Sequence, residues 1–158
     1  MSEKVSQAIY TALRDDSEAT NGIRALLGNT TTTPYNVFYK SPPAQFDFTP
    51  ASGSAQSLLI YNEVASIGDL TIRPKTVQLL EEEYDVQAWS RSLTQLDAIM
   101  RRVKLRLNGL RNVTLPTSQN DLHQIKFQSM TSAIFDEAWQ VYWRTARFLA
   151  WSRDDVLY

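Results

Sequence analysis

A strand that leads directly into a helix, residues 77–109, constrains the fold of this chain more than any other feature of the sequence. Side chains of a strand alternate between its two faces, and in residues 77–89 this alternation makes one face mostly apolar towards its end and puts three acids in the middle of the other. One face of the strand is therefore expected to be buried and the other to face water. The face predicted to be buried carries Leu80, Glu82, Tyr84, Val86 and Ala88. The other face carries three acids, Glu81, Glu83 and Asp85.

The helix after this strand is predicted from its apolar spacing and from signals at both of its ends. Ser92 and Gln95 have the capping-box spacing, in which the hydroxyl accepts from a free backbone N–H and the amide reaches back to the N-cap. Gly109 stands where the left-handed residue that ends many helices belongs. An apolar stripe at steps of three and four consists of Leu93, Leu96, Met100, Val103, Leu107 and Leu110. The opposite side carries four cations, Arg101, Arg102, Lys104 and Arg106.

The remaining segments place strands on both sides of this pair. Apolar patterns predict helices at residues 3–14 and about 20–27, and strands at about 36–40, 57–65, 123–131 and 141–152. Opening helices followed by strands in succession predict the α+β class: an antiparallel sheet of four to five strands with helices packed on one face. The predicted core includes Ile9, Leu80, Tyr84, Val86, Leu96, Met100, Val103 and Phe148.

We predict a single domain that spans residues 1–158, because a chain of this length can bury one core. The domain is expected to contain a loop-rich insertion at about 42–56 and a loose C-terminal tail at 153–158. Two aromatic residues, Phe46 and Phe48, indicate that the insertion is anchored on the protein's own core or on a partner. Irregular connections are also predicted at residues 66–76 and 111–121, and a turn at 136–137.

The composition excludes several classes of chemistry. The chain has no cysteine, so it forms no disulfide and no thiolate zinc site, and its single histidine, His123, cannot build a histidine-rich metal site. Its five glycines do not form a phosphate-binding loop. No stretch resembles a signal peptide or approaches the about twenty apolar residues of a membrane span. We therefore expect no cofactor, no metal, no enzymatic activity and no membrane partner.

The acids and the cations are the candidate interaction residues. Successive side chains on one strand face stand roughly 7 Å apart, too far for the acids to chelate one ion. Four cations on one helix fall short of the roughly six phosphate contacts that useful binding at physiological salt needs, so no specific nucleic-acid partner is expected. The candidate subunit or partner interface consists of Glu81, Glu83, Asp85, Arg101, Arg102, Lys104, Arg106 and Arg147.

The sequence leaves the partners of these charges open. The acids and the helix cations are expected on opposite sides of the sheet–helix sandwich. The acids could meet cations of a neighbouring subunit, line a channel, or pair with Arg147 across strands of the same subunit.

One run of residues resembles a known family. Residues 82–92, EEYDVQAWSRS, followed at once by a leucine-patterned helix, are similar to the small tail terminator, or tail completion, proteins of long-tailed bacteriophages and prophages. Three further features agree with the resemblance: a small helix at 22–28, a Pro-Pro pair at 42–43 after a strand, and a long closing strand at 142–153.

The resemblance implies a structural virion protein at the head–tail junction, assembled in the cytoplasm of the bacterial host. Such proteins form a hexameric ring on the end of a finished tail tube, stop tube polymerisation and give the head-side connector a docking surface. The implied partners are further copies of this chain, the tail tube protein and the connector. The alternatives are a head completion or stopper protein at the connector, a metal-binding protein or enzyme that uses the acids, and a small nucleic-acid-binding module.

Overall fold

A computed structural model describes residues 3–28, 36–50, 55–72, 77–113 and 122–155. Within these ranges the chain forms three helices, α1 (Glu3–Arg14), α2 (Ile23–Leu26) and α3 (Leu93–Leu107). The strands of the same ranges are β1 (Val37–Tyr39), β2 (Leu58–Ile72), β3 (Val77–Ser90), β4 (Arg111–Val113), β5 (Leu122–Met130), β6 (Ile134–Asp136) and β7 (Val141–Asp155).

The strands form one sheet in the order β1-β2-β3-β7-β5-β4, and β6 pairs with the start of β7. Every pairing is antiparallel except that of β1 with β2. The predicted α+β fold with an antiparallel sheet is therefore confirmed. The sheet has seven described strands rather than four to five because β4 lies in a segment predicted as a connection, and β6 was not predicted and ends at the predicted turn of 136–137.

Two strands are longer than predicted. β2 continues to Ile72 through register shifts after Glu63 and after Ser66, so the prediction of an irregular connection from residue 66 is wrong. Regular alternation from Leu58 and Ile60 would place Val64 on their face, but Val64 lies at the first of these shifts and is 42% exposed, because a bulged residue leaves the regular alternation. β7 continues to Asp155 instead of giving way to a loose tail at 153, while residues 156–158 lie outside the described residues.

The main core lies between the three helices and one face of β3 and β7. Tyr84 and Val86 of β3 stand opposite Phe148 and Ala146 of β7, and all four are fully buried. The predicted core residues Ile9, Leu96, Met100 and Val103 pack in the same cluster, as predicted. The side chain of Leu80 lies outside the described part of the chain.

The end signals of α3 are confirmed in part. The Ser92 hydroxyl accepts a hydrogen bond from the Gln95 N–H at 3.2 Å, and Gly109 has a φ of 85°. The amide of Gln95 does not complete the capping box, because it donates to the carbonyl of Leu26 in α2. This side chain therefore joins α3 to α2 rather than closing its own helix end.

A second, smaller core lies on the opposite face of the sheet. Phe48 from the insertion packs with Leu58, Ile60 and Val141, and this group is bordered by Trp139 and other aromatic residues. The ring centroids of Phe48 and Trp139 are 6.4 Å apart in an edge-on arrangement. The insertion is therefore anchored on the protein's own core, which was one of its two predicted alternatives.

Candidate functional site

The predicted acidic stripe lies on the sheet face that is turned away from the helices. Arg147 of β7 faces Asp85 of β3 and donates two hydrogen bonds to its carboxylate, at 2.8 and 3.0 Å. Glu83 lies 3.9 Å from the same guanidinium. Glu81 accepts a hydrogen bond from the indole N–H of Trp151 at 2.7 Å. Of the arrangements that the sequence left open, the structure shows cross-strand pairing with Arg147.

This pairing leaves the stripe negative. Of the three carboxylates, only Glu83 and Asp85 contact the single guanidinium, and Asp85 takes both of its strongest hydrogen bonds. The side chains of Glu83 and Asp85 are 17% and 18% exposed, so both remain partly open to solvent. Because these acids already have partners within their own sheet, meeting a neighbouring subunit would require them to share or exchange those bonds.

The cations of α3 divide into two pairs. Arg102 donates to both carboxylate oxygens of Asp16 at 2.6 and 2.7 Å and lies 3.1 Å from Glu18. Arg106 donates to the carbonyl of Ala12 at 3.1 and 3.3 Å. These two arginines therefore hold α3 against α1 and the segment that follows it.

The other two cations are exposed. Lys104 places its ammonium 4.2 Å from the ring centroid of Phe127, a cation–π contact. Arg101 is exposed and makes no ion pair with any side chain of the described ranges. The acids and these cations lie on opposite sides of the sheet–helix sandwich, as predicted, since α3 packs against the Tyr84 face of the sheet.

Asp16 is a residue whose role the sequence analysis did not find. It is only 3% exposed and also accepts the backbone N–H of Ile23 at 3.0 Å, at the start of α2. Burial by itself raises the pKa of Asp16, but the hydrogen bonds from Arg102 and Ile23 outweigh it and hold the pKa below its ordinary value. An aspartate that follows a helix gives no signal that its partner lies 86 residues further along the chain.

Two exposed features beside these charges also escaped sequence analysis. A groove of about 630 Å³ runs along the outer side of α3 next to α2, where Leu26, Ala98 and Leu105 meet Arg101 and Lys104. At the edge of the sheet, the short hairpin of β6 and β7 exposes Ile134 and Phe135. The sequence pattern did not reveal them, because an apolar residue on a helix or in a short strand fits a buried position as well as an exposed one.

The described ranges show neither a metal-binding cluster nor a membrane-spanning helix. They contain no group of three or more His, Cys, Asp or Glu side chains placed to hold a metal ion. None of the helices in those ranges is both long enough and apolar enough to cross a membrane. The side chain of His123 lies outside the part of the chain that the structure describes.

No protein-family model and no curated protein matches the sequence. A comparison with solved structures gives a chain from the virion of a native gene transfer agent (GTA) particle, with a TM-score of 0.62 and 19% sequence identity. The match covers 97% of this chain and 100% of the other. The protein therefore has the fold of a chain from the virion of a gene transfer agent particle.

Proposed function

We propose that this protein is a structural component of a virion, and that it caps the tail tube as a hexameric ring. The observation that carries the proposal is the likeness to a virion chain over the whole length of both molecules. A likeness that covers 97% of this chain and 100% of the other favours a common structural role over a single shared motif.

The assignment to the tail end of the particle rests on the resemblance of residues 82–92 and the helix after them to tail terminator proteins. In this proposal the ring stops the addition of tube subunits and offers its other side to the head-side connector. The negative sheet face and the basic helix face support it, because a ring between two partners needs two chemically different sides.

A head completion or stopper protein at the connector is the alternative within the same machinery. A nucleic-acid-binding role is less favoured by the geometry. Two of the four α3 cations, Arg102 and Arg106, are engaged by their own chain, which leaves Arg101 and Lys104 for phosphate. Two contacts are far below the roughly six that useful affinity at physiological salt requires.

The experiment is tube assembly in the presence of this protein. Tail tube protein from the same genome is polymerised with and without it, and tube lengths and ends are measured by negative-stain electron microscopy. Sedimentation at low and high salt, with and without tubes, measures self-association. We expect capped tubes of restricted length, and rings that pellet with the tubes.

Three outcomes separate the hypotheses. Tubes of unregulated length, with this protein monomeric beside them, would refute the tail-capping role. Binding to the purified connector but not to tubes would assign it to head completion. Salt-sensitive binding to double-stranded DNA with no effect on tubes would favour the nucleic-acid module.

A further inference from the structure

The hairpin formed by β6 and β7 carries exposed apolar side chains on its outer strand and an exposed acid in its turn. Ile134 and Phe135 are each 45% exposed, and the ring of Phe135 rests 5.0 Å from that of Tyr142. The turn is fixed because the Asp136 carboxylate accepts the backbone N–H of Trp139 at 3.0 Å. Glu137 is exposed beside it. Among the described strands, β6 pairs only with β7, so its outer edge is open.

The groove beside α3 has the complementary character. Leu105 is 68% exposed at its side, and Leu26 and Ala98 extend the apolar surface towards α2. Arg101 and Lys104 stand at its border as exposed cations. The groove therefore combines an exposed apolar surface with a cationic border.

We propose that residues 134–137 of one copy of this chain occupy the α3 groove of the next copy. Phe135 would cover the apolar surface around Leu105, and Glu137, two residues further on, would meet Arg101 at its border. The inference rests on the proposed ring and deepens it by naming the contact between subunits.

Three arguments select a second copy as the occupant. The apolar surfaces match, and the charges on their borders have opposite sign, which sets register between partners. The two surfaces belong to different elements, as a heterologous contact requires, so each copy keeps one of each surface and can add a further subunit until the ring closes. Glu137 also has no side-chain ion pair within the described residues, whereas Glu81 and Asp85 are already bound by Trp151 and Arg147.

Disulfide trapping tests the contact directly, because the natural chain contains no cysteine. Phe135→Cys protein is mixed with Leu105→Cys protein, with and without tail tubes, and oxidised. A disulfide forms only when the two Cα atoms come within about 7 Å. The matched control mixes Phe135→Cys with Val64→Cys, since Val64 is similarly exposed but lies on β2. Each single variant oxidised alone reports homodimers.

We expect covalent dimers from the Phe135 and Leu105 mixture only, and a ladder that ends at a closed hexamer from the Phe135→Cys, Leu105→Cys double variant. If tubes are capped but this cross-link does not form, or if the Val64 control gives the same yield of cross-linked dimer, the proposed contact is wrong and the tail-capping role stands. A specific cross-link with tubes of unregulated length upholds the contact and removes the tail-capping role.

Charge reversal gives an independent readout in sedimentation. Glu137→Lys and Arg101→Glu should each weaken self-association by about tenfold, and the combined variant should recover most of the loss because the pair is restored with reversed sign. The contrasting variant is Glu81→Lys, Glu83→Lys, which should associate like the wild type. Loss of association in that variant, with Glu137→Lys unaffected, would place the contact on the acidic stripe and refute the hairpin assignment.

Discussion

Removal of the Asp16 carboxylate should destabilise the protein far more than removal of its exposed neighbour Glu18. Asp16→Ala leaves Arg102 without its bidentate partner and the Ile23 N–H without an acceptor. Breaking a buried ion pair by deleting one partner costs about 3–5 kcal/mol. The Arg102 side chain keeps 19% exposure and lies 3.1 Å from Glu18. The stranded guanidinium is therefore partly rehydrated, and we expect the lower end, about 3 kcal/mol.

Urea unfolding followed by tryptophan fluorescence measures this cost. With a denaturant slope of about 2 kcal/mol per molar, a loss of about 3 kcal/mol lowers the midpoint by about 1.5 M. The matched control, Glu18→Ala, removes a partner that is 47% exposed and should cost below about 1 kcal/mol. A double-mutant cycle with Arg102→Ala isolates the pair. If Asp16→Ala costs no more than Glu18→Ala, the structural role given to Asp16 and Arg102 is wrong.

Three further predictions concern stability. The free energy of unfolding should fall on acidification below about pH 4. The folded-state pKa of Asp16 is lowered, so its carboxylate stabilises the protein fully above its unfolded pKa of about 3.9, and this stabilisation is lost as pH falls through the folded pKa. Urea midpoints of Asp16→Asn measured against pH should lack this part of the decrease. Leu96→Ala should cost about 2–5 kcal/mol in the same assay, since Leu96 is fully buried, and a cost below that of the exposed Leu105→Ala would contradict the core assignment. Gly28→Ala should destabilise the protein more than Gly109→Ala, for which about 1 kcal/mol is expected from the positive φ alone. Both glycines have a positive φ, but an added Cβ at Gly28 would also lie 2.7 Å from the Ala55 carbonyl oxygen, whereas one at Gly109 would have no atom within 4 Å. Equal urea midpoints for the two variants would refute the crowding argument.

The strand and helix of residues 77–109 could be predicted because each carries its own period over many residues. Fourteen residues of β3 alternate and fifteen residues of α3 repeat every three or four, and Ser92 and Gly109 mark the ends of the helix. The extension of β2 could not be predicted, because its bulges interrupt the alternation that identifies a strand.

The charged residues show where local pattern stops being informative. The pairing of Asp85 with Arg147 was one of several open arrangements, and register between β3 and β7 decides it. The bond from Arg102 to Asp16 depends on how α3 crosses the end of α1, which no local pattern encodes. The exposure of Ile134 and Phe135 in β6 was not predicted, because apolar residues in a short strand fit a core strand equally well.

Phe48 and Trp139 cover part of the second face of the sheet with aromatic side chains. The backbone amides of the strands therefore differ in whether side chains cover them on both faces or on one. Around Leu58, Ile60 and Ala88 the strands are covered from both sides, so their N–H groups meet water only when the whole domain opens. Around Glu83 and Asp85 only the helix side is covered by apolar side chains, and a local opening of the strands is enough to admit solvent. Deuterium uptake along β3 should therefore be slow around Ala88 and faster towards Glu81. A single strand would then show exchange by global unfolding at one end and by local opening at the other.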